Sequence, residues 1–133
     1  MKKPYNILHV DSEKTWRGGQ RQTLLLMKHL PRDEFRSFVA APARGSLSAH
    51  AVQAGFSVQR LRMFGEWDII AAWRIARLCR QLDIDLIHAH SAHALGVCVI
   101  AKKLYRLPVV GSRRVDFHIK KNIFSRWKYL ASI

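Results

Sequence analysis

The chain has 133 residues, about one domain on the usual length prior, and its 49% hydrophobic content is too high for disorder. Lys and Arg total 23 against 9 Asp and Glu, for a formal net charge of +14 and a pI near 10.8. So basic a surface points to a polyanion or an anionic membrane face as partner, and the absence of any run near ~18 apolar residues argues against a spanning helix.

Tyr5 to Val10 reads as a short buried strand, since Ile7, Leu8 and Val10 are apolar without helical spacing. A polar loop from Asp11 to Arg17 follows, closed by Gly18-Gly19. Leu24, Leu25, Met27 and Leu30 then form one apolar helical face, and Pro31 ends that helix. A strand, a glycine turn and a helix N-terminus make a ready anion site, because the first N–H groups of a helix lack partners and the dipole is positive there. The same pair of glycines also suits a plain turn.

Phe35 to Ala41 reads as a second strand. Ser46 is expected to cap a short helix through about Ala54, with Gly55 stopping it. Phe56 to Leu61 alternates as an edge strand does. Asp68 is a good N-cap for an amphipathic helix over Ile69 to Leu82. Ile69, Trp73, Ala76 and Cys79 are expected on its buried face, and Arg74, Arg77 and Gln81 on its solvated one. Asp85 to Ala89 is a fourth, buried strand, and Ser91 caps a helix over Ala92 to Tyr105. Val109 begins a fifth strand running into Ser112–Phe117. Asn122 to Leu130 carries Ile123, Phe124, Trp127 and Leu130 on one helical face, beside Lys120, Lys121, Arg126 and Lys128. That pattern fits a helix packed on the sheet or one lying in a bilayer interface. Strands alternating with helices imply right-handed βαβ units in an open parallel, Rossmann-like α/β sheet.

Cys79 and Cys98 fall inside apolar helical patterns and form no C-x-x-C pair, so they read as core hydrophobes in a reducing compartment. Met1-Lys2-Lys3 leads into a strand with no apolar h-region behind it. A cytoplasmic protein is expected, resting peripherally on the inner face of the membrane.

His88, His90 and His93 read HAHSAH, and on a strand His88 and His90 point to one side. A metal is disfavoured here, because zinc sites usually add a carboxylate or thiolate and none is near in sequence. In open α/β sheets ligands sit at the carboxyl ends of the strands. The Gly18-Gly19 loop, His90 and Arg113-Arg114 all fall at such ends and are expected to share one crevice, with His88 a hydrogen-bonded core residue. Arg113-Arg114 suits a phosphate or carboxylate clamp, and Asp116 stands close enough to pair with one of them. TWRGGQ matches neither G-x-G-x-x-G nor G-x-x-x-x-G-K-[ST], so a classical NAD site and a P-loop are disfavoured. No helix-turn-helix spacing or aromatic stacking platform supports nucleic acid.

Three stretches together, ILHVDSEKTWRGGQRQTLLLMKHL, DLIHAHSAHALGVCVIAKKLYRLPVV and SRRVDF, resemble the N-terminal half of family-4, GT-B-fold glycosyltransferases. The resemblance implies an acceptor-binding Rossmann-like domain over residues 1–133, incomplete at its C-terminal end and lacking the donor-binding domain with its E-x7-E motif. It implies transfer of a sugar from a nucleotide-diphosphate donor to a glycan or glycolipid acceptor, without a cofactor or a required metal, and an isolated chain that is inactive. By the same carry-over Gly18 and Gly19 approach the donor phosphates and His90 lines the acceptor side. His90 and Arg114, at the ends of the fourth and fifth strands, are the residues expected to serve catalysis. His93, Arg113 and Asp116 line the acceptor side. Many family members place a histidine after the fifth strand where this chain has Arg113-Arg114. The alternative class is a non-catalytic basic module for anionic membranes or other polyanions.

Overall fold

The computed structural model describes residues 3–65 and 67–112. Arg113, Arg114, Asp116 and the Asn122–Leu130 segment lie outside the described residues, as does the extension of the fifth strand beyond Ser112.

The described chain alternates strictly: β1 (Tyr5–Val10), α1 (Gly18–His29), β2 (Phe35–Ala41), α2 (Ser46–Gln53), β3 (Ser57–Arg60), α3 (Ile69–Gln81), β4 (Leu86–Ala89), α4 (Ala92–Leu104) and β5 (Val109–Gly111). The strands form one sheet in the order β3-β2-β1-β4-β5, and every pairing is parallel. This is the expected Rossmann-like open sheet. Its order reverses between β1 and β4, the switch point where α/β sheets hold ligands.

Two cores, one per face, hold the layers together. Leu24 and Met27 of α1 and Leu47 and Ala51 of α2 pack with Val39 and Ala41 of β2. On the other face α3 and α4 bury Ala72, Ile75, Cys79, Val97 and Cys98 against Leu8, Val10, Ile87 and Ala89. Both cysteines are free and buried as expected, and desolvation pushes the Cys79 thiol up to about 12.

Several local expectations need correction. Gly18 and Gly19 do not precede α1 but form its first turn, with Arg17 at the N-cap. Gly45, not Ser46, caps α2, and the Ser46 hydroxyl instead donates to the Lys14 carbonyl at 3.3 Å. Gly55 does stop α2, at φ +87°, a conformation that favours glycine. The face of α3 is rotated from the one expected. Ala71, Ala72, Ile75, Ala76 and Cys79 are buried, whereas Ile69 and Trp73 are 69% and 53% exposed. Small alanines let the helix sit close to α4, and the large side chains of Ile69 and Trp73 are turned out.

Asp68 caps α3 as expected. Its carboxylate accepts from the N–H groups of Ala71 and Phe64, both at 2.9 Å. The Ala71 bond is the main cause that holds this carboxyl below its usual 3.8, with Phe64 adding to it. A folded-state value below the unfolded one contributes stability above pH 3.8 that is lost as pH falls through the folded value. Asp68→Ala is therefore expected to cost about 1 kcal/mol near neutral pH, as N-cap removal does. The gap from the parent should close in acid, which urea melts across the pH range would show.

Candidate active site at the switch point

At the carboxyl end of β1 the chain turns polar, and its side chains tie the loop from Asp11 to Arg17 down on every side. Asp11, fully buried, accepts from the Glu13 N–H at 2.9 Å and from Gln20 Nε2 at 3.0 Å. Gln20, itself buried in the first turn of α1, accepts from the Arg17 N–H at 3.1 Å. One glutamine thus joins strand end, loop and helix start. Ser12 Oγ meets Ser91 Oγ at 2.7 Å, which couples this loop to the cap of α4. The Lys14 carbonyl accepts from the Ser46 N–H at 3.1 Å, and Trp16 stacks on His50 of α2 with ring centroids 3.8 Å apart. Gly45 makes room for this packing, since a Cβ there would stand 3.1 Å from the Pro42 carbonyl oxygen and 3.3 Å from that of Glu13.

The N-terminus of α1 emerges beside this ordered loop. Helix geometry leaves the N–H groups of Gly18, Gly19 and Gln20 without intrahelical acceptors. Arg17 supplies no side-chain cap, and no acidic residue stands in the first turn. Gly18 is exposed, its φ is not in the left-handed region, and a Cβ on it would meet nothing within 4 Å. Neither backbone strain nor packing within the described residues requires glycine there. The arrangement suits an anion that comes close to the backbone.

Toward the carboxyl ends of β1 and β4 lies a histidine cluster. His9 of β1 and His88 of β4 are register partners, so both project from the same sheet face as Ser37. His90 continues that row, its N–H bonded to the Val10 carbonyl at 2.9 Å. His9 Nδ1 and His90 Nε2 share a hydrogen bond of 3.0 Å, His9 Nε2 lies 3.3 Å from Ser37 Oγ, and His88 Nε2 bonds Ser112 Oγ. One nitrogen from each of the three rings lies within 4.8 Å of the other two. Such a set can relay a proton or hold a transition-metal ion. Its third member is His9 and not His93, which stands exposed in the first turn of α4. His88 is hydrogen-bonded as expected but only half-buried, and His90 is the more enclosed of the two at 6% exposed.

The structure therefore brings Gly18, Gly19 and His90 to one end of the sheet, and Arg113, Arg114 and Asp116 fall outside the described residues. Sequence reasoning missed His9, Asp11 and Gln20. An imidazole between Leu8 and Val10 in a buried strand was the available signal for His9.

A family model for glycosyltransferase family 4 matches residues 16–132. The chain belongs to that family. No curated protein matches the sequence. Among solved structures, a glycosyltransferase from Rickettsia africae ESF-5 superposes with a TM-score of 0.79 at 17% identity, over 95% of this chain and 34% of that one. Acinetobacter baumannii MurG gives 0.67 at 15% identity, over 81% of this chain and 34% of its own. Anabaena Alr3699/HepE, solved with UDP-glucose, gives 0.63 at 22% identity, over 80% and 28%. This family-4 chain thus has the fold of one GT-B half and spans about a third of the solved structures it matches.

Proposed function

We propose that this family-4 chain is the acceptor-binding half of an enzyme that moves a sugar from a nucleoside-diphosphate donor to a glycan or glycolipid. The observation that carries the reading is the open N-terminus of α1 at the switch point, with an exposed glycine and no side-chain cap. Sugar transfer releases a diphosphate, and its developing negative charge is stabilised by N–H groups aimed at it and by the positive helix end. Gly18 and Gly19 would meet those phosphates across a cleft from the donor-binding domain. His90 would take the proton of the acceptor hydroxyl and pass it toward His9 and Ser37. In this reading Arg114 balances phosphate charge, and His93, Arg113 and Asp116 contact the acceptor. HepE was solved with UDP-glucose, which supports a nucleotide sugar as donor.

A second reading, a seat on the cytoplasmic face of an anionic membrane, draws on the net charge of +14. A lipid-linked acceptor would make such a location useful. Among the described residues no helix is long and apolar enough to cross a bilayer.

Holding donor and acceptor in register supplies much of the rate of such a transfer, so the chain by itself is expected to be inactive. Titration with UDP-glucose should show only weak binding, and an assay for released UDP should stay blank. The same assay on the chain joined to a family-4 donor domain should turn over. Turnover by the 133-residue chain alone would overturn this division of labour.

A further inference from the structure

The turn before α3 and the exposed side of that helix carry side chains that the site does not use. Phe64, Trp67, Ile69, Ile70 and Trp73 are between 53% and 79% exposed, five large apolar side chains within ten residues. Asp68 bonds the N–H of Phe64 on one side and that of Ala71 on the other, which fixes the turn and presents its apolar residues outward. From this tip α3 continues with Arg74, Arg77 and Arg80 exposed. The acidic residues of the stretch, Glu66 and Asp68, both precede the helix, the Asp68 carboxylate being taken up by its two backbone N–H groups, and none occurs from Ile69 to Leu82. Arg62 lies over the ring of Phe64 at 5.4 Å and Arg77 over that of Trp73 at 5.5 Å. A concavity of about 460 Å³ opens between Trp73, Arg77, Arg80 and Leu104.

We propose that Phe64, Ile69, Ile70 and Trp73, flanked by the arginines of α3, form the surface by which this chain docks on an anionic lipid bilayer. The proposal rests on the membrane half of the reading above and not on its transfer half. An apolar tip with tryptophan beside a basic face is the composition that settles at the headgroup boundary. The apolar tip enters the acyl region and the guanidinium groups meet the phosphates. The concavity offers two guanidinium groups beside an indole to one headgroup. Nucleic acid would satisfy the arginines but give the exposed isoleucines nothing to enter. A second copy meeting this surface face to face would set arginines against arginines. The turn leaves β3 at the carboxyl edge of the sheet, the edge that holds the α1 N-terminus. Docking there would bring a lipid-linked acceptor to the site without a long reach.

Flotation with vesicles of phosphatidylcholine, with and without phosphatidylglycerol, tests this. The parent chain should float only with the anionic vesicles and be released by salt, and tryptophan emission should shift to shorter wavelength on binding. Phe64→Ser/Ile70→Ser/Trp73→Ser should keep its melting temperature, since all three side chains stand in solvent, and bind at least tenfold more weakly. Arg74→Glu/Arg77→Glu should lose about fivefold or more per residue. Equal flotation of parent and both variants would overturn this surface and leave membrane binding intact. No flotation of the parent, or equal flotation on neutral vesicles, would overturn both. Self-association of the parent that the apolar variant abolishes would reassign the patch to a contact between copies.

Discussion

Asp11→Ala is expected to destabilise the chain by about 3 kcal/mol, the largest effect of any polar substitution here. Asp11 is fully buried, and its two oxygens accept from the Glu13 N–H and from Gln20 Nε2. An alanine leaves the buried Gln20 amide without its acceptor, at a cost of about 1–3 kcal/mol, and also frees the part-buried Glu13 N–H that holds the loop. Gln20 is 4% exposed and also receives the Arg17 N–H, so its displacement frays the start of α1. The melting temperature should fall by roughly 10 °C. Asp11→Asn should fall about half as far, because it keeps an acceptor for Glu13 but sets an amide NH2 against that of Gln20. A thermal shift below about 2 °C for the alanine variant would show that the loop is held by its other ties.

The second large effect lies in catalysis and has opposite signs in two assays. Gly18 occupies the first turn of α1 without a left-handed φ, and a Cβ there meets nothing within 4 Å. Gly18→Ala should therefore stabilise the isolated chain by about 0.5–1 kcal/mol, since alanine has less backbone freedom to lose on folding. In the chain joined to a donor domain, Gly18→Val should lower kcat/KM for the nucleotide sugar about a hundredfold, the scale seen when one donor to a developing anion is removed. The isopropyl group would hold the phosphate off the N–H groups. A valine variant with unchanged kcat/KM would return Gly18 to a purely local role.

The order of elements was legible because periods of two and 3.6 alternate cleanly along the chain, and the caps at Asp68 and Ser91 are side chains whose chemistry is local. The inward face of α3 was not legible. Apolar periodicity counts the size of Ile69 and Trp73, whereas packing selected Ala71 and Ala72 for their smallness. The histidine cluster was half legible. His88 and His90 are neighbours in sequence, but His9 joins them only because β1 lies beside β4 in register, a pairing between segments about 80 residues apart. The role of Asp11 was hidden for the same reason that it matters: a carboxylate beside a polar loop reads as solvated until a glutamine nine positions on is seen to close over it.

The central place of β1 has a consequence for synthesis. Its first neighbour, β2, follows within about one supersecondary unit, and α1 and α2 supply that half with a core of its own. Its other neighbour is β4, which ends at Ala89. A nascent chain whose β1, β2 and β3 have already paired thus carries a bare β1 edge while the ribosome adds the segment from Leu61 to Ala89, roughly 2–6 s at ordinary elongation rates. In that interval the row of unpaired N–H and C=O groups on β1 is open to any passing strand. Slow codons within α3 would lengthen the exposure, and a chaperone that shields β1 until β4 emerges would raise the yield of folded chain more than one acting after release.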